Sequence, residues 1–157
     1  MEGGTERRRE ALFDPLMDCA AVGLGEASVA EIDQLNILQA SHLAMCRAVQ
    51  GLRQRPDHVL VDGNMIPKDL HLPSEAIIKG DAKSVSISAA SIVAKIERDR
   101  LMMAMAQQFP GYGWETNMGY PSQQHREAIH RLGITQHHRR TFKPIHNILY
   151  QGKNLTS

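Results

Sequence analysis

Apolar positions along this chain follow two rhythms, one of helices and one of short buried strands. Leu12, Phe13 and Leu16 recur at helical spacing, so a helix is expected from Thr5, a capping residue, to about Asp18. Residues 20–24 (AAVGL) read as a short strand. Ser28 followed three residues later by Glu31 is a capping-box pattern, which starts a helix at Val29. Leu35, Ile37, Leu38, Met45 and Val49 carry that spacing to about Leu52, with a break near Asn36. Residues 58–62 form an apolar, β-branched run that stops at Gly63 and Asn64, as a strand ending in a turn does. A proline-containing loop over 65–74 leads to a second strand at 76–78. A long helix is expected over 84–109, its small residues Ser88, Ala89, Ala90, Ser91 and Ala94 permitting close approach to a neighbour. Pro110 ends it, because proline cannot continue the hydrogen-bond ladder. Residues 122–132 read as a short amphipathic helix closed by Gly133, and 142–149 as a last helical stretch. Strands alternating with helices predict an α/β domain.

Composition adds bounds. With 157 residues, 42% of them hydrophobic, the chain suffices for one core. A single domain over 1–150 with a flexible tail over 151–157 is expected. A formal charge of +1 neither favours nor excludes nucleic acid, since binding needs a local basic patch. Such patches exist: Lys79, Lys83 and Lys95 surround Asp81 in sequence, and Arg139, Arg140 and Lys143 cluster near the end. Cys19 and Cys46 have no zinc or CxxC spacing. The charged opening MEGGTERRRE has no apolar core of a secretory signal, and no apolar run reaches the roughly 20 residues that span a bilayer. A cytoplasmic location with no membrane partner is the expectation.

Two acids stand where chemistry is expected. Asp62 closes the strand VLVD, and Asp81 follows the pair Ile77-Ile78 and Gly80, between Lys79 and Lys83. Carboxylates converging on one crevice supply the hard oxygen ligands that Mg²⁺ or Mn²⁺ prefers, and lysines and hydroxyls beside them suit phosphate; the combination suggests a nuclease. Each acid also has a plain structural reading. Asp-Gly is common turn chemistry for Asp62, and Asp81 is an acid favoured near a helix N-terminus. Asp99, Glu75 and Glu97 read as structural, Asp99 through an ion pair with Arg98 or Arg100. Glu10, Glu31 and Asp33 read as a solvated helix face and a cap. His137, His138, Arg139 and Arg140 form a basic run suited to backbone phosphate, with no cysteine or third histidine spaced to complete a zinc site. His42, His58, His71, His125 and His130 have no partner pattern and read as ordinary surface or half-buried residues.

LVDGN at 60–64, KGDAKS at 79–84, SAASIVAK at 88–95, RDR at 98–100, YGW at 112–114, MGYPS at 118–122 with His125, and HHRRTFKP at 137–144 stand in an order that resembles the bacterial ribonuclease HII family. The helical stretch 31–52 is similar to the segment preceding LVDGN in that family. The resemblance runs from about Glu6 to about Leu149. It implies the ribonuclease H-like fold, a mixed sheet flanked by helices. It also implies a metal-dependent endoribonuclease acting on RNA–DNA hybrids and on ribonucleotides embedded in a DNA duplex, with Mn²⁺ or Mg²⁺, as a monomer when complete. Asp62 and Asp81 match two of the family's four metal-binding carboxylates. Tyr120 matches the tyrosine that stacks on the nucleotide at the RNA–DNA junction. Lys83, Ser84, Ser88, Lys95, Arg139 and Arg140 are phosphate-contact candidates. The family's opening Asp-Glu strand with its GRG turn, and the strand after it, have no counterpart here. The expectation is therefore an N-terminally truncated fold lacking its first two strands, poorly stable and with an incomplete active site. The alternative is a truncated, catalytically inactive hybrid-binding remnant.

Overall fold

The computed structural model describes residues 2–117, 120, 122–135, 137 and 138. In chain order they form α1 (Glu2–Cys19), α2 (Val29–Leu35), α3 (Ile37–Gln50), β1 (Val59–Asp62), β2 (Ser74–Ile77), α4 (Gly80–Lys83), α5 (Val85–Gln108), α6 (Trp114–Asn117) and α7 (Gln123–Leu132). The chain divides into two compact units, residues 1–27 with 38–97, and residues 28–37 with 98–157.

The first unit is built on a parallel pair of strands. β1 and β2 run in register from Val59 opposite Ser74 to Asp62 opposite Ile77. Along β1 burial deepens to Val61 and ends at the exposed Asp62, so the apolar run seats the strand and delivers an acid to its rim. Val61 packs with Cys46 of α3 and with Leu70, and Met45, Val49, Val59 and Leu72 close around them. That is a helix laid on a sheet, the α/β arrangement the strand–helix alternation predicts. A second apolar cluster joins Phe13 and Leu16 of α1 to Ile92, Val93 and Ile96 of α5, with Val22 beside them.

Residues 20–24 depart from expectation, for no strand forms there. A Cβ on Gly23 would overlap the Ala48 carbonyl oxygen, and one on Gly25 would overlap that of Ala44. The segment lies directly on the backbone of α3, held in addition by Arg47 Nη1 donating to the Glu26 carbonyl at 2.8 Å. Its residues read as strand because apolar and small residues suit both strand pairing and close contact with a helix.

The second unit confirms its sequence signals closely. Both legs of the capping box form at α2: Glu31 N–H donates to Ser28 Oγ and Ser28 N–H to Glu31 Oε1, each at 3.1 Å. The break expected near Asn36 falls at Asn36, whose φ of 90° interrupts the helix. Gly133, φ 82°, caps α7 as read. Met102, Tyr112, Trp114, Ala128 and Ile129 form this unit's core, with Tyr112 stacked on Trp114 at 4.9 Å. The helix expected at 142–149 and the tail at 151–157 lie outside the described residues.

Candidate active site

Asp62 and Asp81 are brought together through Gly80. The chain leaves β2 at Ile77, turns through Lys79 in the left-handed region (φ 53°), and enters the single-turn α4 at Gly80. The Gly80 N–H donates to Asp62 Oδ1 at 2.8 Å, and Asp81 is the next residue. Gly63 N–H donates to the Ile77 carbonyl at 2.9 Å, tying the same two strand ends from the other side. Gly80 is buried because it must be small. A Cβ there would stand 2.6 Å from Ile87 Cδ1 and 3.3 Å from Asp62 Oδ1. The glycine read from the sequence as a turn residue therefore also makes room for the Asp62 carboxylate.

Both acids are exposed. Among the described residues no group of three or more His, Cys, Asp or Glu side chains suited to a metal ion forms, and the link between Asp62 and Asp81 is the Gly80 N–H. The pair still fits Mg²⁺ or Mn²⁺. Such ions are held through one or two carboxylates, with waters and substrate phosphates completing the shell.

The phosphate-contact candidates divide. Lys83 is exposed on α4 and follows Asp81 by two residues. Ser84 is committed locally: its Oγ accepts the Ile87 N–H at 3.3 Å, capping α5 in place of a phosphate. The helix expected from Ser84 begins instead at Val85. Ser88 and Lys95 are half-buried on α5, and the Ser88 carbonyl accepts Ser91 Oγ at 2.7 Å. Arg139 and Arg140 lie outside the described residues.

In the second unit Tyr120 is 56% exposed, and the Arg98 guanidinium carbon lies 4.9 Å from its ring centroid. An Arg over an aromatic face gains a cation–π attraction and leaves the opposite ring face for another partner. Arg98 is thus engaged with an aromatic ring, a contact the sequence reading did not foresee.

Two histidines correct the sequence reading. His125, taken as ordinary, and His138, taken as part of a basic run, are both buried to 5% exposure. Trp114 Nε1–H donates to His125 Nε2 at 2.9 Å, and His138 Nε2 stands 3.2 Å from the same nitrogen. Burial, followed by the neighbouring His125 and His137, lowers the pKa of His138 to about 4. A neutral, interior His138 contributes no charge to a phosphate-binding run. The cause of the misreading is that Trp114, His125 and His138 are spaced without periodicity and meet only when α7 docks. One signal was available: the chain has a single tryptophan, and a buried indole N–H needs an acceptor.

The sequence pattern described as Ribonuclease HII matches residues 5–145, nearly the whole chain. The chain belongs to the ribonuclease HII family. Ribonuclease HII of Ruegeria pomeroyi is 63% identical over 147 residues, covering 94% of this chain and 63% of that protein. Its counterpart from a further Ruegeria species is 60% identical over 147 residues, covering 94% of this chain and 64% of that one. The Roseobacter denitrificans protein is 58% identical over 149 residues, covering 95% and 75%. Among solved structures, the ribonuclease H2 from Pyrococcus horikoshii aligns with a TM-score of 0.69 at 27% identity, over 93% of this chain and 77% of that one. The α/β, ribonuclease H-like fold expected from the motifs is therefore the fold observed. The chain spans about two thirds to three quarters of the length of these ribonuclease HII relatives, 63–75%.

Proposed function

We propose that this chain carries part of the active site of a metal-dependent endoribonuclease that cleaves RNA in RNA–DNA hybrids and at ribonucleotides embedded in DNA. The observation that carries the reading is the joining of Asp62 to Gly80 and hence to Asp81, at the end of a parallel strand pair. It is supported by membership of the ribonuclease HII family. A divalent ion, Mn²⁺ or Mg²⁺, would be held by Asp62 and Asp81, and when bound would supply activation of water and charge stabilisation at the phosphate.

The chain's own residues have separable tasks. Asp62 and Asp81 offer negative oxygens at a site whose backbone is fixed by β1, β2 and the Gly80 N–H. Lys83 and Lys95 offer positive charge to a phosphate backbone, which binds in a salt-dependent manner. The Tyr120 ring offers a stacking surface for a nucleotide beside the RNA–DNA junction, worth about 1–3 kcal/mol for one base. The reading includes action in the cytoplasm.

The test is cleavage of a duplex carrying one ribonucleotide, compared with the same duplex made only of DNA, with Mn²⁺ and with EDTA. Metal-dependent nicking confined to the ribonucleotide-containing duplex is the expected result for the complete site. Binding of the hybrid without cleavage would favour the inactive, hybrid-binding alternative.

A further inference from the structure

The buried histidine network has a single consistent set of protons, and its last link ends on Tyr120. The His125 Nδ1 atom lies 3.0 Å from the Tyr120 carbonyl oxygen. A carbonyl has no proton to give, so Nδ1 carries the hydrogen and Nε2 carries the lone pair. That lone pair accepts Trp114 Nε1–H at 2.9 Å, since an indole N–H only donates. It also faces His138 Nε2 at 3.2 Å, which must then be the protonated nitrogen of His138. The bare Nδ1 of His138 accepts the Thr135 N–H at 2.9 Å and the Thr135 hydroxyl at 3.1 Å. The same hydroxyl oxygen accepts the His137 N–H at 3.1 Å. Every link fixes the next, and an added proton on either ring would set two donors against each other.

We propose that His125 is a positioning residue for Tyr120: its Nδ1–H holds the Tyr120 backbone carbonyl while Arg98 lies over the ring, so the exposed aromatic face is presented in one orientation. Three further observations support the assignment. The Tyr120 carbonyl is held a second time, by the Ser122 N–H at 2.8 Å. Ser122 is the cap of α7, where its Oγ accepts the His125 N–H at 3.2 Å, so ring and backbone of His125 hold the same turn. Among these residues Tyr120 alone presents a large exposed ring, 56% against 2% for Trp114. A network this complete, ending on an exposed aromatic, serves that aromatic's placement. The inference rests on the reading of Tyr120 as a nucleotide contact.

The test uses the full chain and two labelled probes, a short DNA duplex with one embedded ribonucleotide and the same duplex entirely of DNA. Affinity is read by fluorescence anisotropy in Ca²⁺. Tyr120→Ala is expected to lower the preference for the ribonucleotide by about tenfold, because the ring is read as the contact at the RNA–DNA junction, where one stacking contact is worth about 1–3 kcal/mol. His125→Gln, whose amide reaches toward the Nε2 position, keeps an acceptor for Trp114 and loses the bond to Tyr120; its preference should fall by a similar factor. His125→Asn places its amide at the Nδ1 position and should restore the preference. A merely structural histidine would give the opposite order, because Gln keeps the buried indole partnered and Asn does not. Full preference in His125→Gln, or equal loss in both His125 variants, would overturn the proposal while leaving Tyr120's role intact. No preference in the parent chain, or no change in Tyr120→Ala, would overturn the role of Tyr120 and the proposal with it. Should a variant fail to fold, side-chain ¹⁵N shifts of the parent protein decide: a protonated Nδ1 with a bare Nε2 on His125 supports the proposal, and the reverse tautomer sinks it.

Discussion

At the scale of single residues, Asp62 and Asp81 are distinguished from the other acids by their places at the end of β1 and in the first turn of α4. Asp62 ends a strand and accepts the Gly80 N–H, whereas Asp99 is half-buried along α5, eighteen residues after Asp81. In a complete enzyme, Asp62→Asn and Asp81→Asn should each lower cleavage by about 10²–10³, the typical cost of removing one electrostatic stabiliser. Mn²⁺ titration should show weakened binding in both. Asp99→Asn should stay near the parent rate, and an equal collapse there would show the site wrongly assigned. Gly80 allows a sharper test. In Gly80→Ala the new methyl meets Ile87 Cδ1 at 2.6 Å and crowds Asp62 Oδ1 at 3.3 Å. A loss of about 1–3 kcal/mol by thermal unfolding is expected, as for other overpacked sites, together with weaker Mn²⁺ binding. Ile87→Val removes the Cδ1 atom itself. The double variant should therefore be more stable than the sum of the single losses, and strict additivity would place the strain elsewhere.

Among the elements, those with local chemical signals were legible and those made by contact were not. The Ser28–Glu31 box, the break at Asn36, the strand ending at Asp62 and the Gly133 cap all rest on side chains or dihedral needs within a few residues. Residues 20–24 failed because their partner is a helix backbone, and nothing in AAVGL distinguishes packing on a helix from pairing with a strand. Gly25 carries the consequence. Gly25→Ala would drive a methyl into the Ala44 carbonyl and the Ala48 amide, both backbone and unable to rotate away. The segment must lift from α3, so thermal unfolding should show a loss of at least about 1–3 kcal/mol. Ala21→Ser, at an exposed position of the same segment, should fall within about 0.5 kcal/mol, as surface changes do. Equal effects from the two would mean that the glycine contact is not what holds the segment.

For the whole molecule, the approach of the strand end at Asp62 to the turn at Gly80 and Asp81 was legible because both are marked by strand-end and turn chemistry, while the histidine network was hidden because its members meet only through the tertiary fold. That network also sets a pH response. His138 has a folded-state pKa of about 4 against the ordinary 6.5, through burial and then the neighbouring His125 and His137. Between these values the unfolded chain binds the proton and the folded chain does not. Stability therefore rises with pH across the window; the contribution is fully present above about 6.5 and is lost as the pH falls toward 4. One proton limits the slope to about 1.4 kcal/mol per pH unit. Thermal unfolding followed from pH 7 to pH 4 should show this decline. His138→Gln removes the titrating ring and keeps a side-chain amide able to donate to His125 Nε2, the atom His138 faces at 3.2 Å. The variant should be less stable at neutral pH yet flatter between pH 6.5 and 5. An unchanged slope there would show that His138 takes up its proton without disturbing the fold, and that the network does not exclude charge.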